Sequence, residues 1–382
     1  MRAGELLEDR YQLIGELGRG AFGVVFEAFD RRLGRQVAVK ALRNRGTGEE
    51  ANDLARLYRE VDVLAQLTNP NIVTVYDKGE LAVRGERHHY IVMELLNGPT
   101  LTQVLAAGRP ELLPALDWAG QLCAALAAAH EAKVIHRDVK PENIMFARPD
   151  RQLLKVLDFG IAQIGDNLDG LTTDGVVIGS TPYLAPERWR GEPGSVRSDL
   201  YAVGCVLYEL FTGARPFPAD STYNLMVQHL EEPVPHPPAL PHDLAVLLRA
   251  LLAKDPAERP GDAAEVRRRL AAAAAAVHDL RHRADAAFEF ALQGRPEEAV
   301  ERLRPLVEQF RLAFGPDDGR TLRTRHDLAV ALERSGRVAQ ARELLAELLP
   351  ATAAALGEDH PDTVAVRHRL TRLPAAVNRA GS

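Results

Sequence analysis

The sequence has only two cysteines in 382 residues, Cys123 and Cys205, both set in apolar helical patterns. That excludes a disulfide framework and a paired-thiol metal motif, and both thiols are expected to be buried as small hydrophobes. Long apolar runs are missing as well. The nearest candidate, Leu270–Val277, is mostly alanine and is flanked by Arg267–Arg269 and Asp279, well short of the ~20 apolar residues that cross a bilayer. Met1–Asp9 contains no apolar signal core, so no membrane span and a reducing, cytoplasmic location are expected. Basic charge is not in excess either: 47 Lys and Arg face 53 Asp and Glu, a net charge of −6. A protein that works by neutralising phosphates is thereby disfavoured, and no nucleic-acid partner is expected.

What is present is ordinary for a globular protein, with 46% apolar and 26% charged residues. At roughly 100–200 residues per domain the chain has room for two or three domains. Its start reads as strands with one helix. Tyr11–Leu17, Val24–Phe29, Gln36–Ala41, Ile72–Lys78 and Tyr90–Leu95 are β-branched or aromatic runs bounded by Gly, Asn or charge, and Glu49–Leu67 carries Leu54, Leu57, Val61, Leu64 and Leu67 at helical spacing. From about Leu101 the pattern turns helical, over Ala115–Glu131, Ser198–Phe211, Leu225–Leu230, Asp243–Ala253 and Asp262–Leu270. Strands first and helices after suggest an α+β fold with two lobes.

Beyond Lys254 there is no further lysine, and beyond Leu270 a repeat appears. Gln293-Gly-Arg returns as Ser335-Gly-Arg, Gly315-Pro-Asp-Asp as Gly357-Glu-Asp-His, and Thr321 as Thr363, each 42 residues on. Ala299 with Ala341 and Leu303 with Leu345 keep the same offset, so the period runs through helices as well as turns. The expected helices are 281–292, 296–313, 321–334, 338–356 and 363–373. From Arg281 to Arg372 there are 15 Arg and 15 Asp or Glu, a charge-mixed surface. His326, His360 and His368 have no ligand partner at metal spacing and read as solvated surface.

Four short motifs carry the chemistry. Leu17-Gly-Arg-Gly-Ala-Phe-Gly-Val-Val25 places glycines at 18, 20 and 23. Alone they would suit a dinucleotide-binding turn or a plain hairpin. The β-branched run Val24–Phe29 that follows makes them a strand-turn-strand unit, in which backbone amides can approach phosphate oxygens closely. Val37-Ala-Val-Lys40 then puts a lysine near the end of an apolar strand, and Glu60 on the helix could pair with it and hold it against a nucleotide's phosphates. The strongest signal is His136-Arg-Asp-Val-Lys-Pro-Glu-Asn143, followed by Asp158-Phe-Gly160 after an apolar strand. Together these supply a carboxylate to orient a hydroxyl, a lysine for the transferring phosphoryl group, and an amide plus a second carboxylate for Mg²⁺.

In this order, with Ala185-Pro-Glu187 after them, the motifs resemble the bacterial eukaryotic-like (Hanks-type) Ser/Thr protein kinase family over residues 8–270. The resemblance implies a bilobal kinase fold with ATP and Mg²⁺ (or Mn²⁺) as cofactors and protein substrates. It implies Asp138 as catalytic base, Lys140 as a γ-phosphate contact, Asn143 and Asp158 as metal ligands, and Lys40 on the α/β-phosphates, oriented by Glu60. Leu17, Val25, Ala38, Met145 and Leu157 resemble the apolar walls around adenine, with Met93, Glu94 and Leu96 in the gatekeeper and hinge stretch. Gly18, Gly20 and Gly23 resemble the phosphate-covering loop, and Asp199 and Arg259 the braces of the lower lobe. One position departs from the family pattern: Ser180 stands where a threonine usually contacts the base, and it keeps the hydroxyl. Arg137 precedes the base, and such kinases are switched on when a phosphorylated activation segment pairs with that arginine, which makes Thr172 and Thr173 the candidates for autophosphorylation.

The C-terminal repeats are similar to tetratricopeptide repeats of the 42-residue type, an all-α segment that needs stacking neighbours and permits substrate docking, autoinhibition or dimerisation. The expected organisation is a kinase domain over 1–270, with lobes at about 8–97 and 98–270, an alanine-rich helical linker at 271–280, repeats over 281–373 and a tail at 374–382. Two functions compete. One is an active Ser/Thr kinase with a repeat module for partners or self-association; the other is a pseudokinase scaffold that binds without phosphoryl transfer. The presence of Lys40, Asp138, Asn143 and Asp158 favours the first.

Overall fold

A computed structural model describes residues 1–20, 23–42, 50–83, 86–159, 181–237 and 240–374. The chain divides into two compact units, residues 1–236 with 247–271, and residues 237–246 with 272–382.

The strand-rich start forms one antiparallel sheet. Its strands are β1 (Leu6–Leu7), β2 (Tyr11–Gly20), β3 (Gly23–Asp30), β4 (Arg35–Leu42), β5 (Val75–Val83) and β6 (Glu86–Met93), in the order β1-β2-β3-β4-β6-β5. Alternation along each strand divides the side chains between two faces. One face buries Tyr11, Leu13, Phe26, Val37, Val39 and Val92. The other gathers Ala38, Leu42, Val73, Ile91 and Met93 with Val61 of helix α1 (Glu50–Gln66). Both faces are covered, so β4 is apolar at consecutive positions rather than alternating with polar residues.

Two strands differ from the sequence expectation. Ile72 does not begin β5; it forms a parallel bridge with Val156, and β5 starts at Val75. Ile72 is thus buried beside Val156, whereas Val73 joins the apolar cluster on the sheet's face. β6 ends at Met93, so Glu94 and Leu95 lie beyond the strand.

The lower lobe contains α2 (Leu101–Ala106), α3 (Leu112–Glu131), the short hairpin strands β7 (Ile144–Phe146) and β8 (Leu154–Val156), α4 (Pro186–Trp189), α5 (Val196–Thr212), α6 (Thr222–Glu231) and α7 (His242–Leu251). A Ser195 capping box starts α5 and Gly213, at φ +80°, ends it. Nearly all of α5 is buried, Cys205 included, and Cys123 is buried in α3. Contrary to the sequence reading, one described helix, α3, is long and apolar enough by length and composition to cross a membrane. The hydrophobicity of α3 comes from burial in the core, with Leu116, Leu122 and Leu126 almost fully enclosed.

Helix α8 runs unbroken from Ala263 to Leu292, so the alanine-rich 271–280 is continuous with helix on both sides. After it come α9 (Pro296–Phe314), α10 (Gly319–Arg334), α11 (Val338–Leu356) and α12 (Pro361–Arg372), each packed on the next. The 42-residue period is visible in the backbone: Gly294 and Gly336 both take φ +81° at the tight turns, a left-handed conformation that favours glycine. Ala299, Ala341, Leu303 and Leu345 are fully buried. His326 departs from the solvated reading, because it is half-buried with its Nε2 unpartnered among the described residues.

Candidate active site

The glycine-rich turn joins β2 to β3, with Gly18 opposite Val25 and Gly20 opposite Gly23. Among the described residues a Cβ on Gly18 or Gly20 would meet nothing within 4 Å, which leaves their backbone open to an approaching group. Gly23 is glycine for a different reason: at φ +153° its Cβ would lie 1.9 Å from the Ala41 carbonyl oxygen. Val25, Ala38, Met93 and Leu157 meet in one apolar cluster beneath this hairpin. Leu96 is buried beside the hinge, Met145 is half-buried, and Leu17 is half-exposed and outside that cluster.

Lys40 lies on β4, opposite Val25 on one side and Ile91 on the other, and is buried. Its Nζ is 2.7 Å from Asp158 Oδ2. The expected ion pair with Glu60 is not formed. Glu60 Oε1 instead lies 3.4 Å from Arg137 Nη1, so the helix carboxylate is directed to the loop arginine and Lys40 to the second acid. Sequence order does not rank the distances between these charges, which are set by how the segments pack.

The loop at 136–143 is held from below. Asp199, at the start of α5 and buried, accepts hydrogen bonds from the backbone N–H of His136 (2.8 Å) and Arg137 (2.8 Å) and contacts His130 Nε2 at 2.8 Å. These bonds hold Arg137 at φ +66°, a conformation a non-glycine residue adopts only when its surroundings impose it. His136 is fully buried, its Nε2 on the Leu157 carbonyl (2.8 Å) and its Nδ1 accepting from the Asp138 N–H (3.2 Å), an arrangement that assigns the Nε2–H tautomer. The loop thus ties itself to the strand leading into Asp158, which also has positive φ (+63°).

Asp138 is thereby presented with Lys140 Nζ 2.7 Å from its Oδ2. Asn143 Nδ2 donates to the Asp138 carbonyl (2.8 Å) and to Oδ2 (3.0 Å), which fixes the amide so that its oxygen faces the opposite way. That oxygen and the Asp158 carboxylate are hard donors of the kind Mg²⁺ prefers, and the Lys40 ammonium beside Asp158 shows that a cation is accommodated there. Among the described residues no group of three or more His, Cys, Asp or Glu is arranged to hold a metal by itself, so an ion held by Asn143 and Asp158 would complete its shell with water or substrate oxygens. Glu187 is clamped by Arg259 at 2.7 and 2.8 Å and by Ser198 Oγ at 2.8 Å, all buried. Thr172, Thr173, Gly160 and Ser180 lie outside the described residues.

Residues 11–271 match the protein kinase domain family. The chain belongs to that family. Residues 286–353 match the tetratricopeptide repeat family. The kinase domain is 44% identical over 269 residues to a probable serine/threonine-protein kinase of Streptomyces coelicolor, covering 68% of this chain and 39% of that protein. It is 42% identical over 261 residues to serine/threonine-protein kinase PknA of Mycobacterium tuberculosis (68% and 60%) and 42% identical over 269 residues to PknB of Mycolicibacterium smegmatis (68% and 42%). The chain spans about 40 to 60% of the length of these relatives.

Two members of the kinase domain's site were not legible in its sequence. His130 on α3 reaches Asp199 across the fold, and a histidine in an apolar helix gives no hint of that partner. Lys155, buried in β8, pairs with Glu94 at 2.6 Å. Its signal in the sequence is a lysine inside an apolar run, Leu153–Leu157.

Proposed function

We propose that this chain is an active serine/threonine protein kinase that transfers the γ-phosphate of ATP to Ser or Thr hydroxyls of proteins. The observation that carries the reading is the Asp138 carboxylate, held by Lys140 and Asn143 on a loop fixed by Asp199. In that place Asp138 orients the acceptor hydroxyl and takes its proton as the oxygen attacks. Lys140 sits where it neutralises charge developing on the phosphoryl oxygens, and Lys40 is the cation for the α/β-phosphates. Asn143 and Asp158 would hold Mg²⁺ or Mn²⁺, which supplies charge neutralisation on the phosphates. The backbone of Gly18, Gly20 and Gly23 covers the phosphates, and Val25, Ala38 and Leu157 line the base.

Incorporation of labelled γ-phosphate into a generic basic protein tests the reading. Asp138→Asn is expected to reduce transfer by about 10²–10⁴-fold while nucleotide still binds. Transfer that survives this change refutes the base, and a wild-type chain that binds nucleotide without transfer supports the pseudokinase scaffold instead. Autophosphorylation is expected at Thr172 or Thr173, with the phosphate pairing with Arg137. Mass spectrometry after incubation with MgATP checks it, and no phosphate anywhere in 166–181 removes the proposal. The repeats over 281–373 are proposed to dock a protein partner, a second copy of the chain included, since stacked helix pairs leave faces that neighbours cover.

A further inference from the structure

Lys155 occupies a position where neighbouring residues are hydrophobes. It is the middle residue of β8, between Leu154 and Val156, and its side chain is 8% exposed. Its ammonium has two partners, Glu94 Oε1 at 2.6 Å and the Ile72 carbonyl at 3.3 Å. The same Glu94 oxygen accepts the Thr74 N–H at 2.6 Å, while the Glu94 N–H donates to the Thr74 carbonyl at 2.9 Å. Residue 94 is therefore gripped at both its main chain and its side chain.

An ion pair this deep is a poor device for stability alone, because an apolar pair of the same volume does as well or better. Its effect is geometric. It joins the hinge to residues 71–74, which are themselves bonded to β8 through Val156 N–H to Asn71 O (2.8 Å) and Val73 N–H to Val156 O (3.0 Å). Lys155 is the register partner of Met145, so the two side chains leave the hairpin on one face, and Met145 belongs to the expected adenine wall. Among the described residues, the Glu94 carbonyl and the Leu96 N–H have no hydrogen-bond partner, an acceptor and a donor two residues apart on a backbone held in one orientation.

We propose that Lys155 is a positioning residue for the nucleotide base: it fixes Glu94, and through it the hinge backbone that reads the edge of adenine. The inference rests on the kinase reading and adds to it a residue that touches neither phosphate nor acceptor.

The test compares wild type with Lys155→Met, Lys155→Arg and Glu94→Gln in the full chain, measuring kcat and KM for ATP and GTP and, separately, nucleotide binding without acceptor. Lys155→Met is expected to raise KM and Kd for ATP about five- to tenfold and to lower the preference for ATP over GTP by a similar factor, with kcat within about twofold. Lys155→Arg keeps the charge and stays within about twofold of wild type. Removing the lysine strands a buried carboxylate, so Glu94→Gln, which keeps an acceptor for Thr74, is the second probe, with an expected rise of about threefold. Wild-type KM and base preference in folded Lys155→Met or Glu94→Gln would overturn the proposal, as would loss confined to kcat or failure of arginine to rescue. Binding measured without acceptor still judges Lys155 if the chain transfers no phosphate, so failure of the kinase reading is a separate result.

Discussion

Replacing Asp199 by asparagine changes one atom of the group that holds the loop carrying Asp138. The carboxylate accepts the His136 N–H on one oxygen and the Arg137 N–H on the other, each at 2.8 Å, at a site 1% exposed. An asparagine has one acceptor oxygen, so one of these backbone donors faces an NH₂ group. A buried unsatisfied donor costs about 1–3 kcal/mol, and the φ of +66° at Arg137 stores roughly 1–3 kcal/mol that the lost bond no longer restrains. The loop relieves part of this by relaxing, so a net loss of about 2–3 kcal/mol is expected. For a unit of this size that lowers Tm by about 5–10 °C. Relaxation moves Asp138, and a displacement near 1 Å costs about 10²-fold in rate. Phosphate transfer with saturating MgATP should therefore fall about 10- to 100-fold in kcat while KM for ATP changes less than about threefold. Thermal unfolding and steady-state kinetics on the same preparation measure both. An asparagine variant with wild-type Tm and kcat would refute the reasoning, and so would a loss appearing only in KM.

Two further perturbations follow from buried charges. Burial pushes the Glu187 carboxyl up, but the Arg259 hydrogen bonds, with help from Ser198, outweigh it and hold the group below the usual carboxylate range. Its folded pKa is thus depressed, so its stabilisation is present above the unfolded value and is lost as pH falls through the folded one. Arg259→Met should cost about 3–5 kcal/mol and reverse the sign, leaving a buried carboxyl that favours the folded state only when protonated; melts from pH 3 to 7 check both. In the repeats, burial, with Asp285 and Asp362 adding to it, lifts Asp327 to about 7. A raised carboxyl contributes stability that is present below the unfolded value and lost as pH rises through the folded one, so the repeats should be less stable at pH 8 than at pH 5, by about 1–3 kcal/mol, and melt lower. Asp327→Asn should flatten that dependence, and an unchanged slope would count against it.

The residues proposed for phosphoryl transfer were readable because that chemistry needs particular chemical types close together along the chain. His136 to Asn143 spans eight positions and Asp158-Phe-Gly160 three, so their local order is nearly their spatial order. The repeat was readable for a similar reason: helix pairs that stack must bury the same positions each time, and Ala299 with Ala341 record it. Distances between segments were not readable. Glu60 and Arg137 are 77 residues apart, as Lys40 and Asp158 are 118 apart, and nothing in one segment states which carboxylate a distant cation will meet.

The sequence by itself determined the family-type chemistry, the strand-rich start, the helical remainder and the 42-residue period, because each depends on residue type and on spacing within one segment. Tertiary structure alone decided that Lys40 meets Asp158, that Glu60 meets Arg137, that Ile72 leaves its expected strand for Val156, and that Lys155 lies buried against Glu94. Ion pairs form where the folded chain brings opposite charges within a few ångströms, and that proximity is a property of packing that no local pattern contains.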